Sequence, residues 1–319
     1  MNVPQTLTEV IRYFSDPDVC REYLTKLRWP DGIVVCPTCG SIDVGFVATR
    51  KLWRCKAQHT RREFTIKVGT IMEDSPIALD KWLIAMWLIA NAKNGVSSYE
   101  LARAIGVTQK SAWFMLHRIR EAMLDDTSEP MSGGPVEVDE SFFGGKARFM
   151  HQDKREKVIT GRGGVGKAAI MGLLDRHGPD GHSVVRTEAV PNTRRKSLSP
   201  KVREHVAPGL EVFTDALKSY ADLSADYIHE FIDHAETYVR GRVHTNGIEN
   251  FWSLVKRAIR GTYVSVEPFH LGAYLDEEAF RFNNRKANDA SRFERVSSRI
   301  TGKRLTYKDL IGAVSTTPA

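Results

Sequence analysis

The sequence predicts a multidomain α/β protein in which a small metal-binding module and a pair of helices precede one larger domain of strands and helices. Three observations carry that prediction. The four cysteines cluster near the N-terminal end, two of them within "VCPTCGS". From Leu79 to Met123 apolar residues recur at helical spacing. Beyond residue 135, short apolar runs alternate with turn-rich segments, and two of those runs end in acids.

At 319 residues, 42% hydrophobic and 27% charged, the chain can bury a large core and has room for two or three modules. Lys and Arg outnumber Asp and Glu 46 to 39, a net charge of +7 that favours a polyanionic partner. The excess is concentrated. Seven Lys/Arg lie between Gly144 and Lys167 against Asp153 and Glu156, and eight lie between Arg281 and Arg304 against Asp289 and Glu294. Such runs suit contact with a nucleic-acid backbone. No basic start followed by an apolar stretch opens the chain, so no secretory signal is read there and a cytoplasmic location is expected. The most hydrophobic run, Trp82 to Ala92, is closed by Lys81 and Lys93. A bilayer needs about 20 residues, so this is a buried helix and no membrane partner is expected.

Residues 1–30 read as a helical segment. Cys20 shares its apolar pattern with Val19, Tyr23, Leu24 and Leu27, which assigns that thiol to the core. Residues 31–75 carry the metal signal. Cys36 and Cys39 form a C-x-x-C knuckle with Pro37 inside and Gly40 just after, and Cys55 and His59 follow as C-x₃-H. Three thiolates and an imidazole at this spacing suit a tetrahedral zinc ion in a zinc ribbon.

Residues 76–126 read as a DNA-binding helix-turn-helix. Ser97 or Ser98 caps a short helix through Ala104, with Glu100 in its first turn. Gly106 makes the turn, and Thr108 caps a second helix to about Met123. On that helix Ala112, Met115, Leu116 and Ile119 face inward, while Gln109, Lys110, Ser111 and Trp113 face out near the end that reads bases.

After the Ser/Gly/Pro-rich boundary at 127–135, Val136 to Val138 forms a strand ending in Asp139 and Glu140. "AAIMGLLD" and "GHSVVRTEAV" are two more strands, and the run before Asp215 is another. Acids ending two separate strands suit a divalent metal, because Mg²⁺ takes carboxylate oxygens together with substrate phosphates. In "HTNGIENFWSLVKRAIRG" the apolar positions from Ile248 form a helix capped by Asn246, with Glu249 in its first turn and Lys256 two turns on along the same face. "GRGGVGKAA" matches the spacing of a phosphate-binding loop, but Ala168 stands where a hydroxyl is needed and a strand follows. It reads as a basic loop ending at Lys167 that touches DNA backbone, and no nucleotide triphosphate is expected.

Six stretches in this order resemble a bacterial insertion-sequence transposase of the DDE type, in the ISXO2-like group: "RWPDGIVVCPTCGS", "KVGTIMEDSPIALDKWL", "VTQKSAWFMLHRIR", "VEVDESFFGG", "VFTDALKSY" and "HTNGIENFWSLVKR". The resemblance implies a ribonuclease-H-like catalytic domain over 134–283, a mixed sheet flanked by helices, followed by a basic C-terminal extension at 284–319. It implies Asp139 as the first-strand aspartate, Asp215 as the fourth-strand aspartate and Glu249 as the helix-borne acid, with Lys256 completing an E-x₆-K signature. These acids would hold two Mg²⁺ or Mn²⁺ ions. Members of this group often carry Asn at the third position, so Asn246 and Asn250 are the alternatives to Glu249. Glu137 and Glu140 are read as neighbours rather than ligands.

By the same resemblance the partners are DNA, both the element's terminal repeats and the target, and further copies of the chain, as a homodimer or higher oligomer on nucleoid DNA. The expected DNA contacts are Gln109, Lys110, Trp113, Arg118, Lys167, Lys256 and Arg257. Water would free the 3′ hydroxyls at the element ends, and these would attack target DNA. The rival reading is a non-catalytic or domesticated DNA-binding regulator with the same N-terminal modules; the intact acids and Lys256 argue against it.

Overall fold

The computed structural model describes residues 4–125, 127–144, 167–215, 218–232 and 242–312. The chain divides into two compact units, Met1–Leu124 with Lys286–Ala319, and Asp125–Arg285. Among the described residues no helix is long and apolar enough to cross a membrane.

In the first unit, α1 (Leu7–Tyr13) opens with a reciprocal capping box between Thr6 and Glu9, and α2 (Pro17–Arg28) starts with Asp16 as cap and Pro17 in its first turn. Three short antiparallel strands follow in the order β1 (Val44–Val47), β2 (Leu52–Cys55) and β3 (Glu63–Phe64). Trp53 of β2 anchors a small aromatic cluster, with ring centres 5.6 Å from Trp29, 5.3 Å from Phe46 and 6.0 Å from Phe64.

The apolar run becomes α3 (Leu79–Asn91), with Trp82, Leu83, Met86, Trp87 and Ile89 buried. Ser97 caps α4 (Ser98–Ile105), and Thr108 caps α5 (Gln109–Met123). Between them Gly106 ends α4 in the left-handed region at φ 63°, a conformation that favours a residue without Cβ.

The basic segment after residue 284 contributes to the core of the first unit. Its helix Asp289–Ser298 belongs to the first unit, with Phe293 fully buried. Phe293 packs 5.8 Å from Tyr23 and 5.5 Å from Trp87 between ring centres, and Tyr23 lies 5.0 Å from Phe14. Charge obscured this in the sequence. Ala290, Phe293 and Val296 form a buried stripe beneath a surface of arginines, and Arg292 spends its Nε on Asn91 Oδ1 at 2.8 Å.

The second unit is built on a five-stranded mixed sheet in the order β6-β5-β4-β7-β8, comprising β4 (Val136–Phe143), β5 (Ala168–Asp175), β6 (Val184–Val190), β7 (Glu211–Asp215) and β8 (Ile228–Ile232). β4, β5 and β6 pair antiparallel, while β7 and β8 extend the sheet parallel to β4. Strand alternation gives the sheet two apolar faces. Val136, Val138, Met171, Leu173 and Val212 pack with α6 (Arg195–His205) through Leu198 and Val202. Phe143, Ile170 and Leu174 face the other way, against α7 (Asn246–Ala258) and α8 (Leu271–Asn283).

One boundary differs from expectation. The strand read as ending in Asp139 and Glu140 continues to Phe143, because β5 supplies partners as far as the Phe143–Ala168 pair. What ends beside Asp139 is the parallel pairing with β7, whose last registered pair is Val138–Thr214. Lys167 is exposed and Ala168 opens a strand, as read from the sequence. The loop motif from Gly161 to Gly166 and most of the basic run before it lie outside the described residues.

Candidate active site and metal centre

The knuckle at Cys36 folds back through a hydrogen bond from Gly40 N–H to Cys36 O at 2.9 Å. Cys55 arrives from the end of β2 and His59 from the turn after it, so four ligand atoms lie within 4.8 Å of one another. Cys39 Sγ and Cys55 Sγ are 3.6 Å apart, and Cys36 Sγ is 3.5 Å from His59 Nε2. A tetrahedral zinc with ordinary bond lengths would set these edges at about 3.8 Å for S–S and about 3.6 Å for S–N. The four donors therefore fit zinc in type and spacing. Burial opposes ionisation of Cys36, but the backbone N–H groups of Thr38 and Cys39 together with the thiols of Cys39 and Cys55 lower that thiol below its ordinary value. Cys20 is elsewhere, fully buried, and its thiol meets Phe14 O at 3.2 Å.

The acids gather on the α7 side of the larger sheet. Asp139 and Asp215 each stand one residue beyond the last registered β4–β7 pair, so they are neighbours on the same face. Burial raises Asp139 to about 6, with the negative charges of Asp215 and Glu249 adding to the shift. The Glu140 backbone N–H and Lys256 oppose it. One aspartate thus feels every member of the expected set. Glu249 lies in the first turn of α7, where Thr245 Oγ1 donates to its Oε1 at 2.9 Å.

Gly172, paired with Asp139 across β4 and β5, lets the helix come this close. A Cβ there would lie 2.5 Å from Trp252 Cζ2 and 2.8 Å from Ile248 Cδ1. Asn246 is the first helical residue rather than the cap, and the cap position belongs to Thr245. The early N–H of Ile248 is instead satisfied from the sheet, by Glu137 Oε2 at 2.9 Å.

Glu140 points to the opposite face, where it accepts the Tyr220 hydroxyl. Burial, then the charges of Asp215 and Asp139, raise it to about 8. It thus lies across the sheet from the side that Asp139 and Asp215 share, close enough to feel both charges.

The residues expected to touch DNA have different surroundings. Gln109 donates to Ser98 Oγ at 2.8 Å, exposed Lys110 lies 4.7 Å from the Tyr307 ring centre, and half-buried Trp113 meets His117 edge-on at 4.8 Å. Arg118 departs from expectation. It is buried, donates to Glu73 O at 2.8 Å and Leu305 O at 3.1 Å, and stacks on Phe114. Its position on the helix gave no warning, because the covering segment comes from the far end of the chain. Arg257 is exposed and Lys256 half-buried on α7.

Sequence reasoning missed Arg176. It follows β5 directly, pairs with buried Glu137 at 2.7 Å, and lies 4.8 Å from the Phe213 ring centre. No local pattern marks it.

Comparison with known proteins points one way. An ISXO2-like transposase domain matches residues 131–283, and a transposase zinc-ribbon domain matches residues 15–60. A protein of the transposable element ISH50 from Halobacterium salinarum is 28% identical over 291 residues, covering 87% of this chain and 96% of that relative. A transposase-like protein from Haemophilus influenzae is 36% identical over 101 residues, 31% of this chain and 81% of its own length. No solved structure matches the chain.

Proposed function

The chain belongs to the ISXO2-like transposase family, and we propose that it binds the ends of an insertion sequence and catalyses their cleavage and transfer. The observation that carries this reading is the gathering of Asp139 and Asp215 on one face of the sheet's inner strands β4 and β7, with the charges of Glu249 and Lys256 on α7 acting on Asp139. A buried aspartate whose proton affinity is raised by neighbouring carboxylates is a poor arrangement without a cation and a good one with it. Asp139, Asp215 and Glu249 would hold a pair of Mg²⁺ or Mn²⁺ ions, whose chemistry is to activate the attacking oxygen and stabilise the leaving one.

The chain's own groups do the rest. Lys256, two turns from Glu249, is placed to hold a phosphate of the cleaved strand, and Arg257 and Lys167 to hold neighbouring backbone. Hydrolysis breaks a phosphodiester and frees a 3′ hydroxyl. That hydroxyl then attacks a target phosphorus and displaces the target's own 3′ oxygen. The sheet order and its helical layers support a ribonuclease-H-like reading of this unit, and α4, Gly106 and α5 support a helix-turn-helix. Action on two element ends favours a dimer or larger assembly on DNA.

The direct test is a labelled duplex carrying the element's terminal repeat. Purified chain should nick it at the element boundary in Mg²⁺ and stop in EDTA. Binding without nicking in either Mg²⁺ or Mn²⁺, by a chain that retains its zinc, would favour a regulator instead. For the third acid, Glu249→Gln should lose cleavage while Asn246→Ala and Asn250→Ala keep it. The reverse pattern assigns the position to an asparagine.

End recognition has its own expected outcome. Substituting Gln109 or Trp113 by Ala should lower affinity for the element end by about 1–3 kcal/mol per lost base contact, and leave random-sequence binding nearly unchanged. Both affinities should fall steeply with salt. Filter-binding titrations on the two DNAs would contradict the recognition-helix assignment if both weakened equally.

A further inference from the structure

We propose that Arg176, anchored by Glu137, is a positioning residue that sets the spacing of the three acids by tying together the elements that carry them. The proposal rests on the active-site reading above and adds to it a residue that touches neither metal nor DNA.

Between them the contacts of the guanidinium lead to all three acids. Arg176 Nε donates to Glu137 Oε1 at 2.7 Å, and Glu137 precedes Asp139 by two residues on the same face of β4. The guanidinium carbon sits 4.8 Å from the ring centre of Phe213, two residues before Asp215 on β7. Arg176 Nη1 donates to Arg242 O at 2.8 Å, and Nη2 donates to His244 O and His244 Nδ1, both at 2.8 Å. These residues lead directly into α7 and Glu249. Glu137 closes the frame from the other side, since its Oε2 accepts the Ile248 N–H at 2.9 Å.

The chemistry requires both partners as they are. Only a planar guanidinium offers donors diverging to a carboxylate, two backbone carbonyls and an imidazole at once. An ammonium group is a point charge and cannot span them. Glu137 is 1% exposed. A carboxylate buried so deeply costs more in lost hydration than a single ion pair returns, so stability alone is a weak reason to place one there. Fixing three elements to one another is a better one.

Full-length protein carrying Arg176→Lys or Glu137→Gln tests this, with Mn²⁺ as the probe and the free-ion signal in electron paramagnetic resonance as the readout. The parent should bind Mn²⁺ at a site that Asp139→Asn removes. Both variants should melt cooperatively and bind the element end within about twofold of the parent, yet hold Mn²⁺ about 10–100-fold more weakly, as expected when groups orienting metal ligands are lost. Should either single variant fail to fold, the double substitution Arg176→Met with Glu137→Gln leaves no unpaired buried charge and should show the same weakening. Folded variants with parental Mn²⁺ affinity overturn the positioning role while leaving the acid site intact. Equal Mn²⁺ binding by parent and Asp139→Asn would remove the site itself, and the positioning role with it.

Discussion

Asp139→Asn and Asp215→Asn are each expected to reduce strand cleavage by at least about a thousandfold, on the order of 4 kcal/mol in the barrier, while folding and end binding stay near parental. Gel assays of nicking and of end binding on the same DNA check both halves. The Asp139 variant should also be the more heat-resistant protein when metal-free. The sign follows from its proton affinity, which burial and the charges of Asp215 and Glu249 raise from 3.8 to about 6. Between those values the folded chain binds more protons than the unfolded one, so the parent loses stability as pH rises through that window. The asparagine variant lacks this loss. Its advantage should be absent below about pH 4 and complete above about pH 6, on the order of 1–3 kcal/mol. Calorimetric scans in EDTA at pH 4 and pH 7 decide it. An advantage that grows toward acid would mean that Asp139 is stabilised as a carboxylate by a partner rather than strained by like charges.

Cys36→Ser should release the zinc and unfold residues 31–75 locally. The aromatic cluster around Trp53 is too small to hold three short strands alone, since segments of about 40 residues or fewer generally need a metal or a disulfide. Protection against hydrogen exchange should vanish across β1 to β3 and persist in β4 to β8. Metal analysis should show the loss of one zinc per chain. Full retention of zinc with exchange protection unchanged in the ribbon would exclude Cys36 as a ligand.

What could be read from the sequence was what is encoded locally. The C-x-x-C knuckle, the Ser97 and Thr108 caps, the turn at Gly106 and the apolar run before Asp215 each carry their signal within a few residues. Asp139 was legible as an acid on a strand. Its place mid-strand was not, because the length of β4 is set by its pairing with β5 across the chain. Glu137 and Arg176 were invisible as a pair for the same reason. Glu137 caps a helix 111 residues further on. The burial of Arg118 was not legible, because a long cationic side chain buries readily when its donors meet carbonyls supplied from elsewhere in the chain.

The return of Phe293 to the aromatic cluster of Phe14, Tyr23 and Trp87 also bears on the order in which the protein can be made. The ribosome releases the N-terminal segments first, but their cluster waits for a ring some two hundred residues downstream. The α/β unit is complete on emergence and can fold while the first unit is still missing a wall. A message truncated near codon 285 would therefore yield a chain with all its acids and an unfinished N-terminal half. A gene split at the same point would give two fragments of which only the larger unit is self-sufficient, unless residues 286–312 are supplied in trans to close the other. Chain order thus allows the α/β unit to close before the ribbon-bearing half can be completed.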